Sequence, residues 1–307
     1  MKKSVMILGA GLMQGPAIKA AKELGFNAFV VDANPNAACV KDADYFECVD
    51  LKDLDNLCIF ADKINTGKDN CLAGVFTAGT DFSANTAYLA QKFSLFGHSY
   101  ESCLNASNKV RMRKCFSNAG VPSPDFEEVD VTRLNELLEL SRQKKITFPK
   151  VVKPVDNMGG RGCRLVRNTD ELEQAVKHAI QYSRTSKAIF EDYMEGPEFS
   201  IDAVVYKGTL TITGFADRHI YYPPYFIETG HTMPSKCEKK IKDELIATFA
   251  LGIKALGLTC GVAKADIKYT KNGPMIGEIA ARLSGGYMSG WTFPYSSECF
   301  LTKEALK

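Results

Sequence analysis

The segment FPKVVKPVDNMGGRGCRLV combines a lysine with a cluster of glycines, a pattern that can bind phosphate groups. Lys153 lies on an apolar, strand-like run, and Gly159, Gly160 and Gly162 follow it in a loop. Glycines let backbone N–H groups approach phosphate oxygens closely, and a lysine neutralises the phosphate charge. The GK[ST] sequence of a Walker A loop is absent. An ordinary hairpin turn beside a buried lysine is the alternative.

Two strand-like runs near the C-terminus carry Asp266 and Glu278, with Arg282 four residues further along. The KNGP sequence between the runs is typical of a tight turn, so we expect a hairpin in which the two carboxylates face each other. Facing carboxylates repel unless a cation lies between them, and Mg²⁺ binds one or two carboxylates together with substrate phosphates. Arg282 can stabilise a transferring phosphoryl group. Exposed carboxylates without a metal are the alternative.

Between these two segments, AIFEDYMEGPEFSIDAVV carries groups suited to a nucleoside. Tyr193 and Met194 offer apolar walls to a base, whereas Glu191 and Glu198 offer carboxylates, one of them to a ribose. A plain edge strand is the alternative interpretation.

A glycine turn near the N-terminus invites a dinucleotide interpretation, because Gly9, Gly11 and Gly15 precede Asp32 by about 20 residues. The third glycine of GxGxxG is replaced by Gln14, so we favour a Rossmann-like lobe in which the turn is structural or contacts a substrate. TAGTD, residues 77–81, ends another strand and lies at the same edge, where ligands of open α/β sheets bind.

The elements that position these residues change along the chain. As far as about residue 96, short apolar runs alternate with helix-like segments, which predicts βαβ units and a parallel sheet with helices on both faces. A helix is predicted from Asn105 to Asn118, and a second α/β pattern extends to Tyr182. Ala188 to Tyr193 is predicted as a strand that leaves this small lobe. The remainder is strand-rich, with a long helix from Glu238 to Leu256 and a helix-like end.

Composition limits the classes of function. A length of 307 residues predicts two or three lobes, and a net charge of +2 argues against nucleic acid as the main partner. Ten cysteines without zinc-site spacing are expected to be reduced cytosolic thiols. No apolar run reaches the roughly 18 residues that span a bilayer. We therefore expect a cytoplasmic protein without membrane partners.

In order and type, these elements resemble the ATP-grasp superfamily, which includes biotin carboxylase, carbamoyl-phosphate synthetase, glycinamide ribonucleotide synthetase and D-alanine ligase. The resemblance covers nearly the whole chain and is strongest to carboxylate-amine ligases, with Glu278, Arg282, Gly285 and Gly286 matching E-x-x-x-R followed by Gly-Gly. It implies a fold of class α/β, with a Rossmann-like pre-ATP-grasp domain at residues 1–104 and a two-lobed α+β ATP-grasp domain at residues 105–307. Within the latter, a lid lobe would cover about 121–187 and a central antiparallel lobe about 188–307.

The resemblance also implies residue roles. The nucleotide would be bound by Lys109, Lys153, Asn157, Gly159, Gly160, Gly162, Glu191, Tyr193, Met194 and Glu198. Asp266 and Glu278 would bind Mg²⁺, for which Mn²⁺ can substitute, and Arg282 and Lys153 would act in catalysis. Two departures stand out: Ala280 replaces an asparagine common in the family, so a second metal ion has fewer protein ligands, and Asp266 replaces a frequent glutamate.

Candidates for the substrate site are less specific. Arg218 and His231 lie on strands near the expected site, and Ser284, Gly285 and Gly286 begin a glycine-rich segment that can form a substrate loop. A salt bridge for Arg218, a structural role for His231 and a plain connection for the segment are the alternatives.

The implied activity is ligation: ATP and Mg²⁺ convert a carboxylate to an acyl phosphate, which an amine or similar nucleophile then attacks. Small molecules would be the partners, a homodimer is expected by analogy, and a missing C-terminal lobe is considered because the chain stops soon after the metal hairpin. Alternatives are carbamoyl-phosphate-synthetase-like chemistry, an NAD-dependent oxidoreductase on the first lobe, and a nucleotide-binding protein that has lost catalysis.

Overall fold

The computed structural model describes residues 1–67 and 69–307 and contains three β-sheets. We call the units around them the first lobe, the lid lobe and the central lobe. The first lobe has a parallel sheet in the order β3-β2-β1-β4. Its strands and helices are β1 (Lys2–Leu8), α1 (Gly15–Glu23), β2 (Asn27–Asp32), β3 (Tyr45–Cys48), α2 (Leu54–Thr66), β4 (Asn70–Phe76) and α3 (Ser83–Lys92).

Alternation along the buried strands gives the first lobe two separate apolar layers. Ile7 of β1 packs in a cluster with Ile18 of α1, whereas Met6 and Leu8 pack in another cluster with Leu57 of α2. Successive side chains of a strand point to opposite faces, so this pattern places helices on both faces, as predicted.

Two helices lead out of the first lobe, α4 (Tyr100–Ser107) and α5 (Lys109–Asn118). The prediction of one helix from Asn105 to Asn118 was therefore wrong. Asn108 has an extended backbone, with φ −122° and ψ 117°, and its Oδ1 accepts hydrogen bonds from the N–H groups of Val110 and Arg111 at 3.0 and 3.1 Å. Asn108 is thus an N-cap that starts a new helix.

The lid lobe is an antiparallel sheet in the order β5-β8-β6-β7 with two helices packed on it. Its elements are β5 (Phe126–Val129), α6 (Leu134–Arg142), β6 (Lys150–Pro154), β7 (Arg164–Val166), α7 (Thr169–Tyr182) and β8 (Ala188–Asp192). The expected boundary at residue 187 differs from the sheet pairing, because β8 lies between β5 and β6 instead of leaving the lobe. The division into residues 1–104 and 105–307 stays a prediction.

The central lobe is an antiparallel sheet in the order β11-β10-β9-β12-β13. Its elements are β9 (Glu198–Tyr206), β10 (Thr209–Tyr221), β11 (Ile227–Thr232), α8 (Lys239–Leu256), β12 (Cys260–Thr270) and β13 (Gly273–Ala280). Helix α8 packs its apolar face, including the fully buried Phe249, against β12 and β13. The predicted β12–β13 hairpin is confirmed, with Thr270 paired to Gly273 at the turn.

The last residues return to the first lobe. A π-helical turn (Met288–Thr292), α9 (Phe293–Ser297) and α10 (Leu301–Leu306) follow β13, and Met288, Phe293 and Leu301 share a core cluster with Ile7. A parallel bridge joins Ala78, just after β4, to Leu283, just after β13. The first and central lobes are therefore joined at the ends of β4 and β13. No helix within the described residues combines the length and apolarity needed to cross a membrane.

Candidate functional site

A cavity of about 510 Å³ lies between the lid lobe and the central lobe, a volume within the usual range for small-molecule sites. Both sheets contribute to its walls. The residues predicted for the site that line it are Lys109, Lys153, Asn157, Gly159, Gly160, Glu191, Tyr193, Met194, Glu198, Arg218, Asp266, Glu278, Arg282, Gly285 and Gly286. Gly162, His231 and Ser284 are not among the lining residues.

The lid side of the cavity carries the predicted phosphate groove. Gly159 and Gly160 both have φ of +69°, a left-handed conformation that favours glycine, so their position in the loop after β6 has a backbone reason. Lys109 Nζ donates to the carbonyl of Asn157 at 2.8 Å, which ties the start of α5 to this loop. Gly162 has a structural reason instead, because a Cβ there would lie 2.8 Å from Cγ of Pro154.

Glu191 is held in a buried ion cluster that the sequence analysis did not foresee. Its carboxylate lies 3.0 Å from Arg113 Nη2 and also pairs with Lys153 Nζ, and Arg113 is fully buried. Burial raises the pKa of Glu191, but Arg113 and Lys153 outweigh that effect and lower it. Both of its oxygens are therefore engaged by cations of the chain, and its predicted contact with adenine stays a prediction.

Asp266 and Glu278 are directly paired across β12 and β13, so their carboxylates face each other at the cavity. Glu278 Oε1 lies 3.1 Å from Lys109 Nζ, and Asp266 Oδ2 lies 2.5 Å from Lys264 Nζ. Burial opposes the charge of Glu278, but Lys109, Lys153 and Lys264 lower its pKa to about 2. Glu278 is therefore fully ionised at neutral pH.

These carboxylates fit a divalent cation by their donor chemistry. Asp266 Oδ1 is buried and accepts no well-directed hydrogen bond within the described residues, although it lies 2.8 Å from Arg218 Nη1. No three His, Cys, Asp or Glu side chains of the described part of the chain are arranged to bind a metal ion on their own. A bound Mg²⁺ would therefore take its other ligands from phosphates and water, as Mg²⁺ commonly does.

Arg218 joins three carboxylates and is not a free cation. Its guanidinium contacts Glu198 at 2.5 Å and Asp266 at 2.8 Å, and it also pairs with Glu228. Burial disfavours the charge of Arg218, but the three carboxylates raise its pKa. His231 Nε2 lies 3.3 Å from Glu228 Oε1 and stands behind that carboxylate. Arg218 thus links the strand of Glu198 to a predicted metal ligand.

Arg282 differs from the other cations of the cavity. Its side chain is buried, its Nη1 donates to the carbonyl of Leu283 at 3.2 Å, and its Nε has no partner among the described residues. No carboxylate of the described residues lies within ion-pair distance of it. A buried guanidinium without a carboxylate at ion-pair distance is suited to an anion, because an anionic ligand offsets its lost hydration.

The segment after Arg282 is fixed by an aspartate that the sequence analysis missed. Asp202 Oδ2 accepts from the N–H of Ser284 at 3.0 Å and from its hydroxyl at 2.6 Å. Asp202 is fully buried, and burial raises its pKa to about 6 against the effect of these hydrogen bonds. Ser284 is therefore an anchor below the cavity, whereas Gly285 and Gly286 line it.

The end of the cavity near Tyr193 and Met194 is aromatic and apolar. The ring of Tyr193 lies 6.3 Å from that of Phe226, which is part of the connection between β10 and β11. Lys268 Nζ lies 5.0 Å from the centre of the Tyr193 ring and donates to the carbonyl of Met194 at 3.1 Å. These side chains offer two faces between which a planar ring can be accommodated.

The N-terminal glycine turn is filled by a side chain of its own. Gln14 Oε1 accepts from the N–H of Gly11 at 3.0 Å, and Gln14 Cδ lies 2.9 Å from where a Cβ on Gly9 would be. Asp32 already accepts hydrogen bonds from the N–H groups of Ala10 and Asn34, both at 2.8 Å. The groups that would bind a dinucleotide are therefore used within the chain, which favours the structural interpretation of the turn.

Comparison with known proteins agrees with this geometry. Residues 146–290 match the family model described as the ATP-grasp domain. The solved structures similar to the chain include an L-amino acid ligase from Bacillus licheniformis, with 20% identity and a TM-score of 0.82 over 100% of this chain and 73% of that chain. A biotin carboxylase from Campylobacter jejuni, in a complex with β,γ-ATP, has 22% identity and a TM-score of 0.78 over 100% and 70%.

The relatives found by sequence include an uncharacterized protein, y4rH, of Sinorhizobium fredii (strain NBRC 101917 / NGR234), which is 24% identical over 292 residues. The match covers 93% of this chain and 59% of the relative, so the chain spans well under two thirds of that protein's length. The family match and the shared fold support two statements. An ATP-grasp domain lies at residues 146–290, and the chain as a whole has the fold of the solved ligase and carboxylase structures that it resembles.

Proposed function

We propose that the protein is a ligase that uses ATP and Mg²⁺ to activate a carboxylate as an acyl phosphate and then joins it to an amine. The observation that carries this proposal is the cavity itself. Asp266 and Glu278 face each other on its central wall, Lys109 and Lys153 lie opposite, and Arg282 stands unpaired beside them. Phosphates, a divalent cation and an acyl phosphate are the ligands that this set of charges fits.

The nucleotide would lie between the two sheets. Its base would pack against Tyr193 and Met194, and its phosphates would lie under Gly159 and Gly160, near Lys153. Lys153 is at present paired with Glu191, which is also held by Arg113, so the lysine can turn toward a phosphate without leaving an unpaired carboxylate. Glu198 is engaged with Arg218, and its second oxygen lies 3.6 Å from Lys268. A contact between Glu198 and the ribose remains part of the proposal.

Asp266 and Glu278 would hold Mg²⁺, or Mn²⁺ in its place. The ion would neutralise the charge of the phosphate oxygens during phosphoryl transfer. Arg218 contacts Asp266 and Lys109 contacts Glu278, so both carboxylates are oriented by the chain, and the pKa of Glu278 is lowered by its neighbouring lysines. We assign Arg218 to positioning Asp266, a narrower role than direct contact with the substrate. His231 orients Glu228 in the same way.

The reaction would proceed in two steps. A carboxylate oxygen of the first substrate attacks the γ-phosphorus, the bond to the bridging oxygen breaks, and ADP leaves. The amine then attacks the acyl carbon and phosphate leaves with the electron pair of the broken C–O bond. Of the two protons that an ammonium group loses on becoming an amide nitrogen, one ends on phosphate and one in solvent. Arg282 would stabilise the acyl phosphate, and the closed cavity would exclude water from it.

The partners of this activity would be small molecules. We propose a cytoplasmic enzyme without a membrane partner, and a homodimer remains an expectation by analogy. Gly285 and Gly286 line the cavity beside Arg282, which supports their proposed place along the path of the substrate.

Trapping with hydroxylamine tests the proposal. Each proteinogenic L-amino acid, and a set of other small carboxylates, is incubated with the protein, Mg-ATP and hydroxylamine. We expect at least one carboxylate to yield a hydroxamate and ADP in equal amounts, because hydroxylamine captures acyl phosphates. Arg282→Met should lower this rate by about 10²- to 10³-fold, the usual loss when an oxyanion-stabilising group is removed.

The matched control is Arg142→Met, which removes an exposed arginine of α6 that pairs with Glu139 and should leave the rate unchanged. ATP hydrolysis that is independent of every carboxylate, with no hydroxamate formed, would contradict the proposed function.

A further inference from the structure

Asp81 stands at the junction of the first and central lobes, in the TAGTD segment that follows β4. The N–H of Gly79 donates to the carbonyl of Leu283 at 3.3 Å, beside the bridge between Ala78 and Leu283. Arg282 immediately precedes Leu283, and Asp81 follows Gly79 by two residues. The backbone contact therefore brings the loop of Asp81 next to the proposed receptor for the acyl phosphate.

The position of this loop is fixed by close packing. Gly79 has φ of +63°, and a Cβ added to it would lie 2.7 Å from Cβ of Met13. A Cβ added to Gly285 would lie 3.5 Å from Cα of Gly79. Thr77 Oγ1 donates to the carbonyl of Leu8 at 2.9 Å and anchors the start of the loop in the parallel sheet. Asp81 is thus carried by a rigid segment that touches both lobes.

The carboxylate of Asp81 is uncommitted. It makes no hydrogen bond and no ion pair with any other residue that the structure describes, and it is partly accessible to solvent. Burial raises its pKa, and the charges of Arg282 and Lys109, which act in the opposite direction, do not compensate. The cations already present are therefore insufficient, and one more cation would stabilise the ionised form.

The other carboxylates around the cavity already have partners. Those that pair with cations of the chain, or that anchor the backbone, are Glu191, Asp192, Glu198, Asp202, Glu228, Asp266 and Glu278. The proposed reaction requires a second substrate with an amino group, which is an ammonium ion in neutral water. Asp81 is not itself a lining residue, but it lies close enough to Arg282 and Lys109 to interact with their charges, and among the described carboxylates near Arg282 it is the one that remains to receive the ammonium group.

We propose that Asp81 binds the ammonium group of the second substrate, a primary amine such as the amino group of an amino acid, and holds it beside the acyl phosphate at Arg282. This inference rests on the proposed function and specifies the acceptor for it. An ammonium group held at Asp81 is placed on the first-lobe side of the acyl phosphate, whereas the nucleotide lies between the lid and central lobes. The two substrates would therefore reach the acyl carbon from different lobes.

The test compares two acceptors in the same protein. Hydroxylamine is uncharged at neutral pH and needs no ammonium site, whereas an amino acid does. Asp81→Asn keeps the size of the side chain and removes its charge. We expect this variant to form hydroxamate at a rate within twofold of that of the unchanged protein. Its KM for the amino-acid acceptor should rise by about tenfold to a hundredfold, the range for loss of a charge-assisted hydrogen bond. The peptide product is measured by mass spectrometry over a range of acceptor concentrations.

Two further variants complete the design. Asp81→Glu should recover part of the acceptor affinity, because it restores the charge with a longer arm. Asp62→Asn, on the exposed face of α2, should change neither reaction. Calorimetric titration with Mg-ATP should give the same affinity for the Asp81→Asn variant as for the unchanged protein, since Asp81 lies outside the nucleotide site.

Each other outcome overturns the inference. An unchanged acceptor KM in Asp81→Asn would show that the ammonium group binds elsewhere, and an equal loss of hydroxamate would show that Asp81 serves activation or folding. If the unchanged protein forms hydroxamate but joins no amine, carboxylate activation stands and the ammonium site is wrong. If it forms no hydroxamate from any carboxylate, the proposed function fails, and the role of Asp81 fails with it.

Discussion

Glu278→Gln is expected to lower Mg²⁺-dependent turnover of ATP by roughly a hundredfold or more, because a metal ion contributes several kcal/mol to charge stabilisation in such reactions. Glutamine keeps the volume of the side chain and can still accept a hydrogen bond from Lys109, which lies 3.1 Å from Glu278 Oε1. The substitution removes the charge that a metal ion requires, but it also removes the counterion of the buried Lys109, so urea denaturation is used to check that the variant is folded. ADP release at increasing Mg²⁺ concentration measures the effect.

The same variant should behave differently toward nucleotide alone. Glu278 adds a negative charge next to the proposed phosphate site. In the absence of Mg²⁺, the Glu278→Gln variant should therefore bind ATP with an affinity equal to or higher than that of the unchanged protein. Glu244→Gln is the matched control, since Glu244 lies on α8 and accepts a hydrogen bond from Tyr269 at 2.7 Å outside the cavity. A Glu278→Gln protein that keeps its Mg²⁺-dependent turnover would contradict the metal assignment.

Glu191→Gln is expected to lower the free energy of unfolding by about 3–5 kcal/mol, the usual cost of removing one partner of a buried ion pair. The variant leaves Arg113, which is fully buried, without its counterion. Arg113 would keep the carbonyl of Gly277, at 2.7 Å from its Nη2, and could bond to the neutral glutamine amide, but it would have no negative charge at ion-pair distance among the described residues. The loss is measured by urea denaturation, as a shift of the unfolding midpoint at a constant slope.

Glu127→Gln provides the comparison for this prediction. Glu127 lies on β5, the strand next to β8, and pairs with Arg133 at 3.4 Å while about half exposed. Surface pairs of this kind contribute about 0–1 kcal/mol, so the control should change the midpoint little. If the two variants lose equal free energies of unfolding, the buried cluster of Glu191, Arg113 and Lys153 contributes no more to stability than an exposed ion pair.

The features that the sequence predicted share a local cause. The KNGP turn fixes the register of the β12–β13 hairpin as far as Ile267 and Ile276, which brings Asp266 to within one residue of Glu278. A register shift between Asp266 and Ile267 then pairs Asp266 with Glu278 instead of Gly277, and this last step was not predicted. The glycines after Lys153 likewise occupy left-handed positions that only their own loop requires. Alternating apolar residues predicted the two faces of the first sheet for the same reason.

The features that the sequence could not supply depend on residues far apart in the chain. Arg113 and Glu191 are 78 residues apart, and Asp202 and Ser284 are 82 apart, so no local periodicity pairs them. Arg218 was singled out for a substrate, yet its contacts with carboxylates become visible only when four strands, β11, β10, β9 and β12, lie side by side. The place of β8 was misjudged because a strand sequence does not state which sheet it joins.

The break between α4 and α5 is a different case, because its signal was local. Asn108 is among the residues preferred at the N-cap: its extended backbone ends α4, and its side chain accepts two hydrogen bonds from backbone N–H groups at the start of α5. A search for capping residues within the predicted helix would have found it.

The central claim, that the cavity binds Mg-ATP, is tested most directly by calorimetry. The unchanged protein is titrated with ATP in the presence and absence of Mg²⁺, with NAD as the comparison ligand. The cavity between the lid and central lobes predicts saturable binding of one Mg-ATP per chain, strengthened by Mg²⁺, and no heat from NAD, because Gln14 and the backbone already occupy the N-terminal glycine turn. Binding of NAD without binding of ATP would place the nucleotide site in the first lobe and contradict the account.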